Sequence, residues 1–499
     1  MHWQLVIRSV GLLLVLVGAS MAFSLPWALD GTGIAPDERN GFEALLISMG
    51  IGIAAGSLLW WCTRRSPGQI YRKEALAIVG LGWLTCGLLG ALPYVFSEVI
   101  PSPVAAFFES VSGFTTTGST VITDLRQVPR SILFWRSFTH WLGGMGIVVL
   151  FVALLGQIGA GAKQLLKFEV PGPITGGLRP RIRQTAMALW LIYIGFSAAE
   201  AVLLLLAGLP LFESLCHTFG TMATGGFSTH NESVGFYYAR PAVECVVVLF
   251  MLLAGCDFTI HYAAVRRDWK TILRDPQLRT YLGILLVAAA LIFTTLMVHD
   301  THANPWDSLR VAVFNSVSIM TTTGFGTGGE LGNFDQWPEF AKAILLLLMF
   351  IGGCAGSTGG GVKVIRYVLL CKVIRNEIEL AFRPQVVRPL LIGGRSVSPE
   401  VGRGVLVYFC CILILFVIGW LGLTLVEHLH NKLPIEETGA MVAACLNNIG
   451  PALGRAGPVG NYAHVTPPGQ LILAVLMLLG RLEVFAILVL FMPRFWKEY

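Results

Sequence analysis

The residues best placed to do chemistry are short Thr-Gly segments that recur four times along the chain. Phe108-Glu-Ser-Val-Ser-Gly-Phe-Thr-Thr-Thr-Gly118 matches Phe314-Asn-Ser-Val-Ser-Ile-Met-Thr-Thr-Thr-Gly324 at eight of eleven positions without a gap. Weaker copies run from Leu215 to Gly225 and from Ala440 to Gly450. Glycine lets the backbone aim successive carbonyls the same way at low steric cost. Four such turns around a pseudo-fourfold axis would make a ring of carbonyl oxygens able to replace the hydration shell of a monovalent cation. This reading centres a selectivity filter on Gly118, Gly225, Gly324 and Gly450. The flanking positions are Thr116 and Thr117, Thr224, Thr322 and Thr323, and Asn448 and Ile449.

Carbonyls at such turns need elements that hold them at membrane depth. Runs of about 20 apolar residues, the length that spans a bilayer, lie near 5–25, 43–62, 74–96, 133–157 and 184–208. Five more lie near 241–265, 280–299, 338–371, 404–426 and 469–491. Each Thr-Gly turn ends a mildly apolar stretch too short to span, which is the pattern of a re-entrant half-helix. Its C-terminal, partly negative end would point at the ring and favour a cation. The following span then carries a small-residue break, at Leu142-Gly-Gly144, Leu253-Ala-Gly255, Ile351-Gly-Gly353 and Leu479-Gly-Arg481.

The fold class predicted is therefore an all-α polytopic membrane protein. It has four pseudo-symmetric span–pore-helix–span repeats around a central pore, plus two extra N-terminal spans. The divisions fall at 1–70 for the extra spans and at 71–165, 166–270, 271–400 and 401–499 for the repeats.

Composition agrees: 55% of residues are hydrophobic and only 13% charged, against roughly 45–50% and 25% in soluble domains. The formal charge of +6 is spread between apolar blocks, with no basic–aromatic alternation of the kind that lines a nucleic-acid groove. Of 35 lysines and arginines, 25 fall on one set of connections and seven on the other. Positive charge marks the cytoplasmic side, so both termini are expected there. The ten cysteines lie in or beside apolar segments without metal spacing and read as packing residues. No nucleophile–base or metal constellation of an enzyme is visible.

Two further features interrupt the spans. The stretch Gly352, Gly353, Cys354, Ala355, Gly356, Ser357, Thr358, Gly359, Gly360, Gly361 is too rich in glycine to continue a helix. It is no Walker loop, since Lys363 comes one position late and no Ser or Thr follows it. Arg481 interrupts an otherwise apolar span, a costly place for a charge. It would either repel cations below the filter and hold the glycine loop closed, or form a structural ion pair with Glu437 or Glu109. Glu109, Glu213, Asp307 and Glu436 in the half-helices read as helix caps rather than cation attractors.

These residues resemble the membrane subunit of Trk-type potassium uptake systems, in the Trk/Ktr/HKT superfamily. The resemblance covers nearly the whole chain. It rests on Ser112-Gly-Phe-Thr-Thr-Thr-Gly-Ser119, Ala223-Thr-Gly-Gly-Phe-Ser228, Met320-Thr-Thr-Thr-Gly-Phe325, Leu446-Asn-Asn-Ile-Gly-Pro451 and Leu478-Leu-Gly-Arg-Leu-Glu483. It implies potassium uptake across the bacterial inner membrane, with K+ (and Rb+) held at Thr117, Gly118, Thr224, Gly225, Thr323, Gly324, Ile449 and Gly450. A proton- or sodium-coupled symporter with the same pore is the alternative. It also implies an intramembrane gating loop at 352–361, a homodimer in contact with membrane lipids, and no covalent cofactor. Nucleotide would act only through a cytosolic TrkA-type regulatory subunit, for which the basic segment from Lys363 to Arg403 is the expected dock. Arg455, where small glycine-rich sequence is usual, departs from the family pattern.

Overall fold

The computed structural model describes residues 1–30, 33–65, 70–146, 182–301, 303–329, 331–385, 390–393, 395–430 and 432–496. Two apolar helices come first, α1 (Trp3–Ser20) and α2 (Arg39–Thr63). Glycines let them approach closely: a Cβ on Gly11 would lie 2.8 Å from the Gly56 carbonyl oxygen. The first unit is α3 (Arg72–Phe96), α4 (Pro103–Phe114) and α5 (Arg130–Gly144). The second is α6 (Ile182–Leu206), α7 (Leu211–Met222), α8 (Pro241–Ala254) and α9 (Phe258–Val265). A short α10 (Trp269–Arg274) leads to the third, α11 (Pro276–Val298), α12 (Pro305–Met320), α13 (Glu339–Phe350) and α14 (Val364–Phe382). The fourth is α15 (Pro399–His430), α16 (Ile435–Leu446), α17 (Pro467–Arg481) and α18 (Phe485–Leu488). Two short antiparallel hairpins pair Leu29–Asp30 with Gly33–Ile34 and Leu390–Ile392 with Arg395–Val397.

Helix length sorts these elements. The first helices of the units have 25, 25, 23 and 32 residues. At about 1.5 Å per residue each crosses a hydrocarbon layer of about 30 Å. The second helices, α4, α7, α12 and α16, have 12, 12, 16 and 12 residues and fall short of it. Proline sets their starts: Pro103 and Pro305 sit in the first turn behind the capping side chains of Ser102 and Asn304. Pro210 and Pro434 immediately precede α7 and α16. Expected spans 241–265 and 469–491 are both bent, by 100° between α8 and α9 and by 114° after α17. The span expected over 338–371 is divided outright, because residues 351–363 form an irregular loop between α13 and α14. The span expected over 133–157 is described only as far as 146, where α5 has already ended at Gly144.

The division at 165/166 lies outside the described residues; those at 270/271 and 400/401 cut α10 and the first turn of α15. On α15, Leu413, Ile414, Ile418, Leu421 and Leu425 are each more than half exposed, the face of a helix that meets lipid. The apolar core joins α1, α3, α4 and α5 to α16 and α17, and a second core joins α8, α11, α12 and α13. The half-helices are thereby packed at the centre of the molecule.

Candidate functional site

Past each half-helix the backbone enters the left-handed region at a residue that carries a side chain. These are Thr116 (φ 54°), Thr224 (φ 54°), Thr322 (φ 61°) and Asn448 (φ 55°). For β-branched threonine this is an unusual conformation, costing about 1–3 kcal/mol at each position. Two residues on stands a glycine with positive φ: Gly118 (84°), Gly226 (80°), Gly324 (77°) and Gly450 (98°). The intervening residue is fixed by one repeated amide bond. Thr117 donates to Ser112 O (2.9 Å), Gly225 to Gly220 O (2.8 Å), Thr323 to Ser318 O (2.9 Å) and Ile449 to Ala444 O (2.9 Å).

This geometry corrects the sequence register in the second unit. Gly225 is the counterpart of Thr117, and the counterpart of Gly118 is Gly226, which the ungapped match stops one residue short of. Thr224 accordingly corresponds to Thr116. The signal was present as a Gly-Phe pair, Gly226-Phe227, repeated at Gly324-Phe325.

The four turns close into a ring. A Cβ on Gly118 would strike the carbonyl oxygen of Gly225, one on Gly226 that of Thr323, one on Gly324 that of Ile449, and one on Gly450 that of Thr117 (2.6 Å). Each unit thus presses its glycine against the middle carbonyl of the next, in the order first, second, third, fourth, first. Side chains stiffen this ring. Thr115 and Thr321 hydroxyls lie 2.8 Å from those of Thr117 and Thr323. Asn448 Nδ2 donates to Thr117 Oγ1 (3.0 Å) and Met477 O (2.9 Å). The Tyr462 and Ser119 hydroxyls donate to Gly450 O (2.7 and 3.2 Å). His140 links two units: its Nε2 accepts the Phe227 amide (3.2 Å), so the proton sits on Nδ1, which donates to Gly113 O (2.7 Å).

On its glycine side the ring opens into a polar cavity lined by Ser119, Thr120, Ser228, His230, Pro451 and Tyr462. Behind it, Arg136 and Glu109 form a fully buried ion pair of 2.7 Å. Arg136 also donates to Ser228 O (3.0 Å), and Glu109 accepts the Val121 amide (2.8 Å). The caps expected of the acidic residues are not seen. Glu109 sits within α4; Glu213 and Asp307 accept the hydroxyls of Tyr237 and Tyr238, each at 2.6 Å. Beside this cavity, hydrogen bonds from His230, foremost, and Tyr237 hold the Glu213 carboxyl below the usual range. Arg455 is exposed, its amide bonded to Glu437 (3.3 Å).

The opposite side of the ring is covered by the glycine loop. Gly360 N–H donates to Thr322 Oγ1 (2.6 Å), and a Cβ on Gly360 would lie 2.6 Å from Asn447 O. The loop is pinned laterally to the second unit: Cys354 N–H donates to Gly255 O (2.8 Å), Thr358 N–H to Ala254 O (3.3 Å) and Phe258 N–H to Gly356 O (3.1 Å). Gly352 and Gly353 bond to Val362 and Val364 at its neck, Ser357 Oγ to Cys354 O, and Gly359 and Gly361 approach Thr321 and Thr322.

Arg481 donates to Thr358 O (2.7 Å) from one amino group and to Gly143 O (2.6 Å) and Gly144 O (2.9 Å) from the other. A side chain of the fourth unit therefore ties the loop of the third to the break of the first. Neither Glu437 nor Glu109 is the partner found for it here. Glu483 turns away and pairs with Arg366 (2.7 Å). Sequence reasoning missed Lys363 in this cluster: buried at the end of the loop, its ammonium donates to the carbonyls of Gly359 and Gly360. A lysine closing a glycine run inside a span was the available sign. Among the described residues there is no group of three or more His, Cys, Asp or Glu fit to hold a metal ion.

A fourfold pseudo-symmetric, all-α polytopic membrane protein with a ring of strained turns at its centre is thus defined by fold and site together. The family model for TrkH, described as cation transport protein, matches residues 43–498. The chain is 39% identical to the Trk system potassium uptake protein TrkH of Salmonella typhimurium and 38% to that of Escherichia coli K12, each over the full length of both chains. Its fold matches the crystal structure of the potassium transporter TrkH from Vibrio parahaemolyticus over all of both chains, with a TM-score of 0.86 and 36% identity. The chain belongs to the TrkH family of cation transport proteins, a family of transporters and not of enzymes.

Proposed function

We propose that the chain carries potassium inward across the bacterial inner membrane through the ring of four turns, as the membrane subunit of a Trk system. The carrying observation is the closed ring itself. Four left-handed turns, Thr116 to Gly118, Thr224 to Gly226, Thr322 to Gly324 and Asn448 to Gly450, abut one another around the ring, each glycine against the middle carbonyl of the next. Such carbonyls replace the hydration shell of a monovalent cation without a net charge that would trap it. Glycine at all four positions favours potassium over sodium on the family resemblance.

The loop from Gly352 to Gly361, with Arg481 and Lys363, is the closed gate. It fills the path below the ring, and the Arg481 guanidinium repels an ion arriving there. Orientation with both termini in the cytoplasm is supported by the lysine and arginine bias. The name of the relatives supports further Trk components; a nucleotide-binding regulator docking on the basic segment 363–403, and a homodimer, are what the family resemblance implies.

Purified protein in liposomes loaded with potassium chloride tests this reading by rubidium uptake, with sodium or potassium added outside. Uptake abolished by external potassium but not by sodium is expected. Uptake equally inhibited by sodium, or absent unless a proton gradient is imposed, would contradict a potassium-selective channel-like pore.

A further inference from the structure

The half of the loop farther from Arg481 is gripped by a neutral side chain. Gln277 stands in the first turn of α11, where Asp275 caps the Leu278 amide (2.7 Å) and Pro276 fixes the backbone. A helix start set this firmly also sets the direction of its first side chains. The Gln277 side chain is buried, and both ends of its amide meet the backbone of one loop residue. Its Oε1 accepts the Ala355 N–H (3.1 Å) and its Nε2 donates to Ala355 O (3.4 Å). One turn along the same face, the Tyr281 hydroxyl donates to Leu252 O (3.5 Å) near the end of α8. The start of α11 thus holds the loop of the third unit and the break of the second together. Among uncharged side chains of this reach, only an amide offers a donor and an acceptor side by side. The two halves of the loop are therefore held by different chemistry. Arg481 and Lys363 take the carbonyls of Thr358, Gly359 and Gly360. Gln277 takes Ala355, whose neighbours Cys354 and Gly356 bond to the backbone of Gly255 and Phe258.

We propose that Gln277 is a positioning residue of the gate, clamping Ala355 so that the loop stays beneath the ring. The proposal rests on the transport reading above for its consequence. To leave the ring, the loop must surrender both bonds to Gln277, because the capped start of α11 cannot follow it. Arg481 joins a hold on the loop to a repelling charge, so its removal changes both at once. Gln277 has the hold alone. A glutamate in its place makes the clamp depend on a proton. Protonated, the carboxyl supplies the same donor and acceptor as the amide; ionised, it sets an oxygen against Ala355 O and the donor is lost. Asp275 at the cap of α11 and Asp257 at the start of α9 are the carboxylates around this contact, the latter 2.7 Å from a Cβ on Gly356. Tyr281 and Cys354 are its further ionisable neighbours.

The test is passive rubidium flux through the full-length chain in liposomes, with wild type measured at each pH as the reference. Gln277→Leu is expected to raise flux about tenfold, the shift that two lost hydrogen bonds allow. Its preference for rubidium over sodium should stay that of wild type, since the ring is untouched. Gln277→Glu is expected to leak at about pH 8 and to tighten towards wild type at about pH 5, reversibly in one sample. A side chain that merely packs would give no such pH profile, and a misfolded protein would not recover closure. Gln277→Leu no leakier than wild type, or Gln277→Glu unresponsive to pH, overturns the proposal, provided Arg481→Ala leaks in parallel. Absence of flux in every variant, Arg481→Ala included, overturns the transport reading instead.

Discussion

At the scale of residues, the ring depends on atoms that cannot be added. Gly226 has φ of 80°, and a Cβ there would strike the carbonyl of Thr323. Gly226→Ala is therefore expected to reduce rubidium uptake at least tenfold while membrane expression persists; unchanged uptake would restore Gly225 as the sole essential glycine of the second turn. Arg481 and Lys363 act in the opposite sense. Each donates to carbonyls of the loop and holds it beneath the ring. Arg481→Ala and Lys363→Gln should each raise passive rubidium flux several-fold, measured in vesicles without regulator. The Glu109–Arg136 pair is structural. Removing one partner of a buried pair costs about 3–5 kcal/mol, so Arg136→Met should lower the melting temperature measured in detergent. Glu109→Gln in the same chain should recover part of that loss.

At the scale of elements, most of the architecture was legible because its signals are compositional. Six long apolar helices fall within a few residues of the expected spans, and the four short helices end at the expected Thr-Gly turns. The breaks at Gly144, Gly255, Gly353 and Arg481 were also legible, since glycine and an intramembrane arginine both disfavour a continuous apolar helix. Three things were not. Register in the second unit depends on which of Gly225 and Gly226 takes positive φ, and adjacent glycines give no local preference. The left-handed threonines ran against their own propensity and are imposed by tertiary closure of the ring. Arg481 was expected to hold the glycine loop, as its bond to Thr358 O does. Its hold on the first unit's break was not read, since a broken helix exposes backbone carbonyls that serve a guanidinium as well as a carboxylate does. The same reasoning extends to α14. Its Arg366 pairs with Glu483, beside two consecutive left-handed residues, Glu483 (φ 52°) and Val484 (φ 68°). Glu483→Gln should loosen this joint and increase protease cutting between α17 and α18, read on reconstituted protein.

At the scale of the whole molecule, four units of unequal sequence converge on one axis because each supplies the same turn to its neighbour. The cost of four strained residues is borne by the packing of the half-helices against long spans. On the proposed orientation, 25 of the 35 basic residues fall on the cytoplasmic side. A fluorescent protein fused after Tyr499 should fold and fluoresce in the cytoplasm, and an alkaline phosphatase at the same place should stay inactive; the reverse pattern would invert the pore. The central claim, that the ring of turns binds the transported ion, is tested most directly by anomalous diffraction from crystals grown in rubidium chloride. The account predicts a rubidium peak on the pseudo-fourfold axis, equidistant from the carbonyls of Thr117, Gly225, Thr323 and Ile449. An ordered ring with no peak at that position would contradict it.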